Sequence, residues 1–353
     1  MKVAYRWHRR LGCVLSPLLA LSACSGACLL WLQPLPTLPE NPPSTQAWAR
    51  ALDQGLAELA RRYPRAEADL VDLPRRPGDP IRVHLRLPDP AEAGWANVDA
   101  AHGSTGALQP DSRDARTRLL DLHEHLLHEG IGPWVLRAAA LAALVLAAMG
   151  LRIWWRVRSL PARSPWRRWH RRVGAIVALP VLMMLATGLV LRWPELAGAS
   201  LAAIAGEPAT APKLDASASP GAREAKLSEV LAAASAALPN ARPMRIYAAR
   251  DGVVRVRLRS DEWHPNGLDN VYLRAADASV LRIARWREQP LAMRYLDVVY
   301  PLHTGSLPGH PGAAATIAAR LLWTVFALSL GWLAVSGAVQ RFSPPPPSRG
   351  GRR

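Results

Sequence analysis

Four stretches of this chain are apolar enough to cross a bilayer, and the segments between them alternate with shorter periods. Residues 11–32 carry no charge over 22 positions, and residues 173–191 and 321–339 carry none over 19 each. A hydrocarbon core about 30 Å thick needs roughly 20 helical residues, so each predicts a span. A fourth run, 131–155, has a charge-free centre of only 14 residues (138–151), bounded by Arg137 and Arg152. Long arginine side chains reach the interface from inside a span, so this run also predicts a membrane helix. Between the first two runs, Trp48, Leu52, Leu56 and Leu59 mark one helix face that ends before Pro64. Ile81, Val83, Leu85 and Leu87 then alternate as a half-buried strand. Between the last two runs, 227–238 predicts a helix. Val254, Val256 and Leu258 alternate with Arg255, Arg257 and Arg259, and 271–273 and 280–283 predict further strands. Such an arginine stripe is expected to be a solvated strand face, with an anionic ligand or lipid headgroups as the alternative.

The charge changes this picture by fixing an orientation. The chain has 353 residues and a formal charge of +17, which at first suggests nucleic acid. Its placement removes that class. Residues 1–10 carry four Lys/Arg, 152–172 carry eight and 340–353 carry four, with no acidic residue in any of them. The remainder, with 28 basic and 27 acidic residues, is nearly neutral. Each basic segment abuts an apolar run, as the positive-inside rule requires of cytoplasmic segments. Both termini and the 152–172 loop are therefore expected in the cytoplasm, and 33–118 and 194–300 outside. Proline-rich linkers lie at 34–43 and 208–220, and a disordered tail is expected at 344–347. The three cysteines, Cys13, Cys24 and Cys28, share one apolar run, which excludes a disulfide scaffold. Leu21-Ser22-Ala23-Cys24 is similar to a lipoprotein cleavage box, but the apolar run continues to Leu32, where a mature lipoprotein turns polar.

The chain is also duplicated. Arg6-Trp7-His8-Arg9-Arg10-Leu11-Gly12 recurs 162 residues later as Arg168-Trp169-His170-Arg171-Arg172-Val173-Gly174. The same offset aligns Ser25-Gly26 with Thr187-Gly188 and Trp31 with Trp193. Leu122-His123, Leu127 and Gly132 match Leu302-His303, Leu307 and Gly312 at an offset of 180. Each copy is helix, outside segment, helix, so the repeats are parallel and related by a two-fold axis along the membrane normal.

On these motifs, with Tyr300-Pro301-Leu302-His303-Thr304-Gly305, the chain resembles the PepSY-associated transmembrane helix family from Tyr5 to Phe342. Val98-Asp99 to Gly106-Ala107-Leu108 resembles the strand-turn-strand ending of a PepSY domain, whereas 271–281 lacks the turn glycine. The resemblance implies a mainly α membrane protein of four transmembrane helices in two parallel repeats, with two small periplasmic α+β PepSY-like domains. The expected division is a cytoplasmic start and first helix (1–32), domain 1 (33–118), a juxtamembrane segment and second helix (119–156), a basic loop (157–167), a third helix (168–193), domain 2 (194–300), a juxtamembrane segment and fourth helix (301–342) and a basic tail (343–353). It also implies iron acquisition at a bacterial inner membrane, in which some members are haem-bearing reductases of ferric siderophores. A cofactor-free accessory protein of an uptake system is the alternative. A transporter is weaker, because no span has an acidic residue in its core.

Four of the ten histidines, His8, His170, His123 and His303, sit at repeated positions flanking spans. Neutral imidazole is a good axial ligand for haem iron. Repeat mates share a depth on opposite sides of the axis, which gives an inner pair His8–His170 and an outer pair His123–His303, one bis-His haem b in each. Without a cofactor the same residues read as interfacial histidines that help set topology. Arg9 and Arg171 are candidates for haem propionates, as are other arginines of the two basic starts. Arg137 and Arg320 are candidates for propionates or an acidic substrate, or else snorkelling anchors. Cys-x-x-Cys-His is absent, so c-type attachment is excluded. His123-Glu124-His125-Leu126-Leu127 is not a zinc-protease motif, and a metal held by His125 and His128 has no counterpart in the second repeat. The Ser/Thr-Gly steps at 25–26, 187–188 and 336–337 read as helix-packing positions. No Walker A loop or Gly-x-Gly-x-x-Gly turn is present, so electrons for a reductase must come from quinol or a cytoplasmic protein.

Overall fold

The computed structural model describes residues 2–33, 45–75, 78–111, 115–162, 164–206, 214, 225–260, 264–308 and 312–342. The linker at 34–43, nearly all of that at 208–220, and the 344–347 tail lie outside these residues. Three helices are long and apolar enough to cross a membrane: α1 (Lys2–Leu32), α4 (Gly132–Val157) and α10 (Ala313–Phe342). The expected third span is two helices, α5 (Pro165–Ile176) and α6 (Ala178–Arg192), which qualify together but bend by 66°. Pro180 accounts for the break. It lacks an N–H, and its ring displaces the carbonyl of Ile176 four residues earlier, at the last residue of α5. Ser164 caps α5, its hydroxyl accepting from the Arg167 N–H at 3.3 Å. Helix α1 packs along α10 and α4, α4 packs on α6, and α5 packs on α10.

The intervening segments supply α2 (Thr45–Arg62), β1 (Glu67–Asp72), β2 (Ile81–Arg86), β3 (Gly94–Val98), β4 (Gln109–Pro110) and α3 (Ala115–His125) in the first repeat. The second repeat supplies α7 (Pro194–Ala205), α8 (Leu227–Ala237), β5 (Arg242–Arg250), β6 (Val253–Arg259), β7 (Asp269–Arg274), β8 (Val280–Ala284) and α9 (Leu291–Thr304). Instead of forming separate sheets, the two sets join edge to edge in one antiparallel sheet, β4-β3-β2-β1-β5-β6-β7-β8. At the seam Leu70, Val71 and Asp72 oppose Tyr247, Ile246 and Arg245. Joining there pairs two strand edges that would otherwise stand open. It also merges the two cores: Trp48, Leu52 and Leu59 of α2 and Val230, Leu231 and Ala234 of α8 pack together over Ile81, Val83, Val256 and Val271. The alternation read from sequence at β2 and β6 is the burial alternation observed, with Ile81, Val83, Leu85, Val254, Val256 and Leu258 inside.

Two features depart from the pattern read from sequence. The β7–β8 turn, which lacks a glycine, forms with Ala278 at φ 55, while Gly103 takes φ 72 in the first repeat. The Asp277 side chain accepts from the Ser279 N–H at 2.9 Å and its hydroxyl at 2.6 Å, holding that strained turn. Helix α7 has no counterpart in the elements read from the sequence. It follows Arg192 with one intervening residue, begins with Pro194 at its first position, and packs on α9.

Candidate functional site

The four repeated histidines form two pairs, and each pair joins repeat mates. The His8 and His170 rings lie 6.4 Å apart between centroids, as do the His123 and His303 rings. A metal–imidazole bond is about 2.0 Å and the ring centre lies roughly 1 Å behind the nitrogen, so two imidazoles facing each other across one ion would have centres about 6 Å apart. Both pairs have that spacing.

Each histidine is docked on a helix of its own repeat and meets its mate across the repeats. His8 Nδ1 lies 3.1 Å from the Leu146 carbonyl of α4. A carbonyl only accepts, so Nδ1 carries the hydrogen, and Nε2 of the neutral ring keeps the lone pair. Hydroxyls impose the same tautomer on the other three. Ser336 Oγ lies 2.8 Å from His170 Nδ1 and donates to Leu333 O at 3.2 Å. Ser25 Oγ lies 2.9 Å from His123 Nδ1 and donates to Ser22 O at 3.1 Å. Thr187 Oγ1 lies 3.1 Å from His303 Nδ1 and donates to Met183 O at 2.8 Å. With its one hydrogen engaged by the helix, each hydroxyl accepts from Nδ1–H. All four Nε2 atoms are therefore lone-pair nitrogens, the state a metal ligand requires. The outer histidines belong to α3 and α9, neither of which is a span, and burial holds both rings below the usual histidine range. His303 is pushed down to about 4 by burial first and then by His123.

A glycine beside each docking group lets the ring in. A Cβ on Gly26 would lie 3.0 Å from His123 Cε1, on Gly188 3.1 Å from His303 Cε1, on Gly150 3.0 Å from His8 Cε1, and on Gly337 3.5 Å from His170 Cε1. The Ser/Thr-Gly steps, read from sequence as packing positions, are thus histidine seats. At the fourth seat Met149 precedes Gly150, and the Leu146 carbonyl one turn away replaces the hydroxyl. Gly150 and Leu146 could not have been singled out inside an apolar run. Ser25 and Thr187 could have been, because their offset equals that of His8 and His170.

Between the inner histidines a cavity is walled by Leu19, Leu146, Val181, Leu185 and Leu333 and thinned by Gly12, Gly150, Gly174 and Gly337. Arg9, Arg167 and Arg171 line it too. An apolar slot with two imidazoles and arginines suits a flat macrocycle bearing carboxylates, so the residues present fit haem. Arg171 also donates to the Val157 and Leu160 carbonyls at the end of α4, and Arg9 lies 5.7 Å over the Tyr5 ring. Arg137 and Arg320 hold the far ends of neighbouring spans. Arg137 donates to Arg192 O at 3.0 Å from between Trp134 and Trp193, and Arg320 donates to Gln33 O at 2.7 Å. A cation on the last carbonyls of a helix opposes its dipole. Arg192 binds Glu124 through its carbonyl at 2.7 Å and its carboxylate at 3.3 Å, next to His123. His125 bonds Asp121 at 3.1 Å, and His128 Nδ1 accepts from the Ile131 N–H at 3.2 Å. Among the described residues no group of three or more His, Cys, Asp or Glu is placed to hold a metal ion.

No curated protein matches the chain. Residues 5–340, which hold the sheet, both histidine pairs and all but the first three residues of α1 and the last two of α10, match the family model of the PepSY-associated TM region. The chain is therefore a membrane protein belonging to that family.

Proposed function

We propose that the chain is an inner-membrane, haem-containing reductase that passes electrons across the membrane to ferric siderophores. The observation that carries this reading is the repetition of one arrangement at two depths: paired imidazoles 6.4 Å apart, each with Nδ1–H engaged and Nε2 bare. His8 and Ser25, which seats His123, are 17 residues apart on α1. At 1.5 Å per residue that is about 25 Å, most of a hydrocarbon core. Bis-histidine haem b supplies one-electron chemistry at each pair. The chain's own part is to fix the ligand tautomer at both pairs and, at the inner pair, to exclude water with apolar walls and offset carboxylate charge with Arg9 and Arg171. The basic termini and the α4–α5 loop face the cytoplasm in this reading, where quinol or a cytoplasmic protein delivers electrons, and the sheet faces the periplasm.

The test is the pigment. Protein purified from haem-sufficient cells carries two b-type haems per chain, and a reduced sample is reoxidised by a ferric siderophore. A colourless preparation, with neither haem nor reoxidation, overturns the proposal in favour of a cofactor-free accessory protein.

A further inference from the structure

The sheet face opposite α2 and α8 carries a basic surface that the histidine pairs do not use. Strand register places Asp72, Arg245, Arg257 and Asn270 in one row across β1, β5, β6 and β7. Tyr247, Arg255 and Tyr272 form the next row. Arg255, Arg257 and Arg245 gather round the Tyr247 ring at 3.7, 5.6 and 5.9 Å from its centre. Asp72 neutralises Arg245 through bonds of 2.5 and 2.9 Å. In the same row, Arg257 Nε and Asn270 Oδ1 are buried without a hydrogen-bond partner among the described residues. A buried guanidinium N–H left unsatisfied is costly, and a ligand that accepts from it removes the cost.

This face is turned toward the outer histidines. His264, from the β6–β7 loop, stacks on Tyr300 of α9 at 4.9 Å and 28°. Burial, followed by the positive charges of Arg257, Arg259 and Arg75, pushes His264 down to about 4. Tyr300 lies three residues from His303 on α9, and Arg116 lies seven residues from His123 on the same face of α3. The basic surface therefore begins about one to two helical turns from the outer pair.

We propose that this arginine–tyrosine face binds a multiply anionic iron(III) chelate, with catecholate or carboxylate donors, above His123 and His303. It rests on the reading of that pair as an electron-carrying site. Guanidinium groups donate charge-assisted bonds to catecholate or carboxylate oxygens and lie against aryl faces, and a neutral tris-hydroxamate complex gains neither charge term.

The test uses the full chain in zwitterionic nanodiscs and redox-silent gallium(III) complexes, so binding is read by tryptophan quenching without electron transfer. The trianionic gallium tris-catecholate binds, and its affinity falls as salt is raised. Arg257→Gln weakens it about tenfold or more, while Arg86→Gln, an exposed partner of Glu67 elsewhere on the sheet, leaves it unchanged. The neutral gallium tris-hydroxamate does not compete. Arg255→Gln is the second variant should Arg257→Gln fail to fold. Equal binding of both complexes, or tris-catecholate binding indifferent to both arginines, overturns the proposal. So does chelate binding that is absent while Arg257 controls association with anionic phospholipid vesicles. Haem content, read on the same samples, tests the histidine reading separately: colourless protein with arginine-dependent chelate binding defeats that reading alone.

Discussion

Replacing Ser336 by alanine removes one oxygen from the shortest of the four histidine seats. Ser336 is 1% exposed, and its hydroxyl accepts from His170 Nδ1–H at 2.8 Å while donating to Leu333 O at 3.2 Å. The variant leaves the Nδ1–H buried without that acceptor, which costs about 1–3 kcal/mol. It also frees the ring to rotate or change tautomer. Loss of such an outer partner lowers metal affinity about 10–100-fold, which corresponds to roughly 1.4–2.8 kcal/mol and agrees with the cost of the orphaned donor. Ser16 is the control. It is 7% exposed and donates to Cys13 O at 2.9 Å, with the same back-bond to its own helix but no histidine upon it. Transfer of haem from each variant to an excess of apomyoglobin gives the relative affinity of the inner site. The expected result is a loss of 10–100-fold for Ser336→Ala and little change for Ser16→Ala. Equal haem retention by the two variants would refute the seat argument.

Further outcomes follow from the same geometry. Gly26→Ala and Gly188→Ala push a Cβ to 3.0 and 3.1 Å from an imidazole and should disturb the outer haem spectrum. Gly337→Ala, with 3.5 Å available, should disturb the inner one less, and equal effects would count against ring packing as the cause. Burial lowers the His84 pKa, but bonds to Asp69 at 2.6 Å and Asp111 at 3.1 Å outweigh it and raise the pKa above 6.5. Its contribution is full below pH 6.5 and is lost as pH rises through the folded value, so melting of the sheet should weaken on the alkaline side and His84→Gln should abolish that slope. His264, at about 4, has the opposite sign. Stability falls as pH drops from 6.5 to 4, and His264→Phe, which keeps the stack on Tyr300, should flatten that limb in the same melts. Fusion reporters at Gly103 and Ser159 should report opposite sides of the membrane, periplasm and cytoplasm respectively, and a Ser159 fusion active outside would reverse the orientation.

The long-period features were legible in the sequence. Uncharged runs mark the spans because lipid tolerates little else, and the alternation at Val254–Leu258 marks β6 because one face of that strand is core. Repeat arithmetic alone paired His8 with His170 and His123 with His303. What remained hidden depends on contacts between distant elements. The β1–β5 seam joins residues about 175 positions apart, and neither strand alternates strongly, because Arg245 and Tyr247 stand opposite Asp72 and Leu70 on a half-covered face. Gly150 is one small residue in an apolar run until His8 lies against it. The arginines of β6 read as a solvated stripe, yet all three are only half-exposed and Arg257 Nε is buried.

The most direct measurement is the haem stoichiometry and reduced-minus-oxidised spectrum of the four single alanine variants at His8, His170, His123 and His303, with His128→Ala as control. Each substitution removes one of the two imidazoles that would hold a haem at that pair. His8→Ala and His170→Ala should each lose the same haem and keep the other, His123→Ala and His303→Ala should do the converse, and His128→Ala should keep both. Full haem content in all four variants, or loss confined to His128→Ala, would contradict the assignment of these pairs as the cofactor sites.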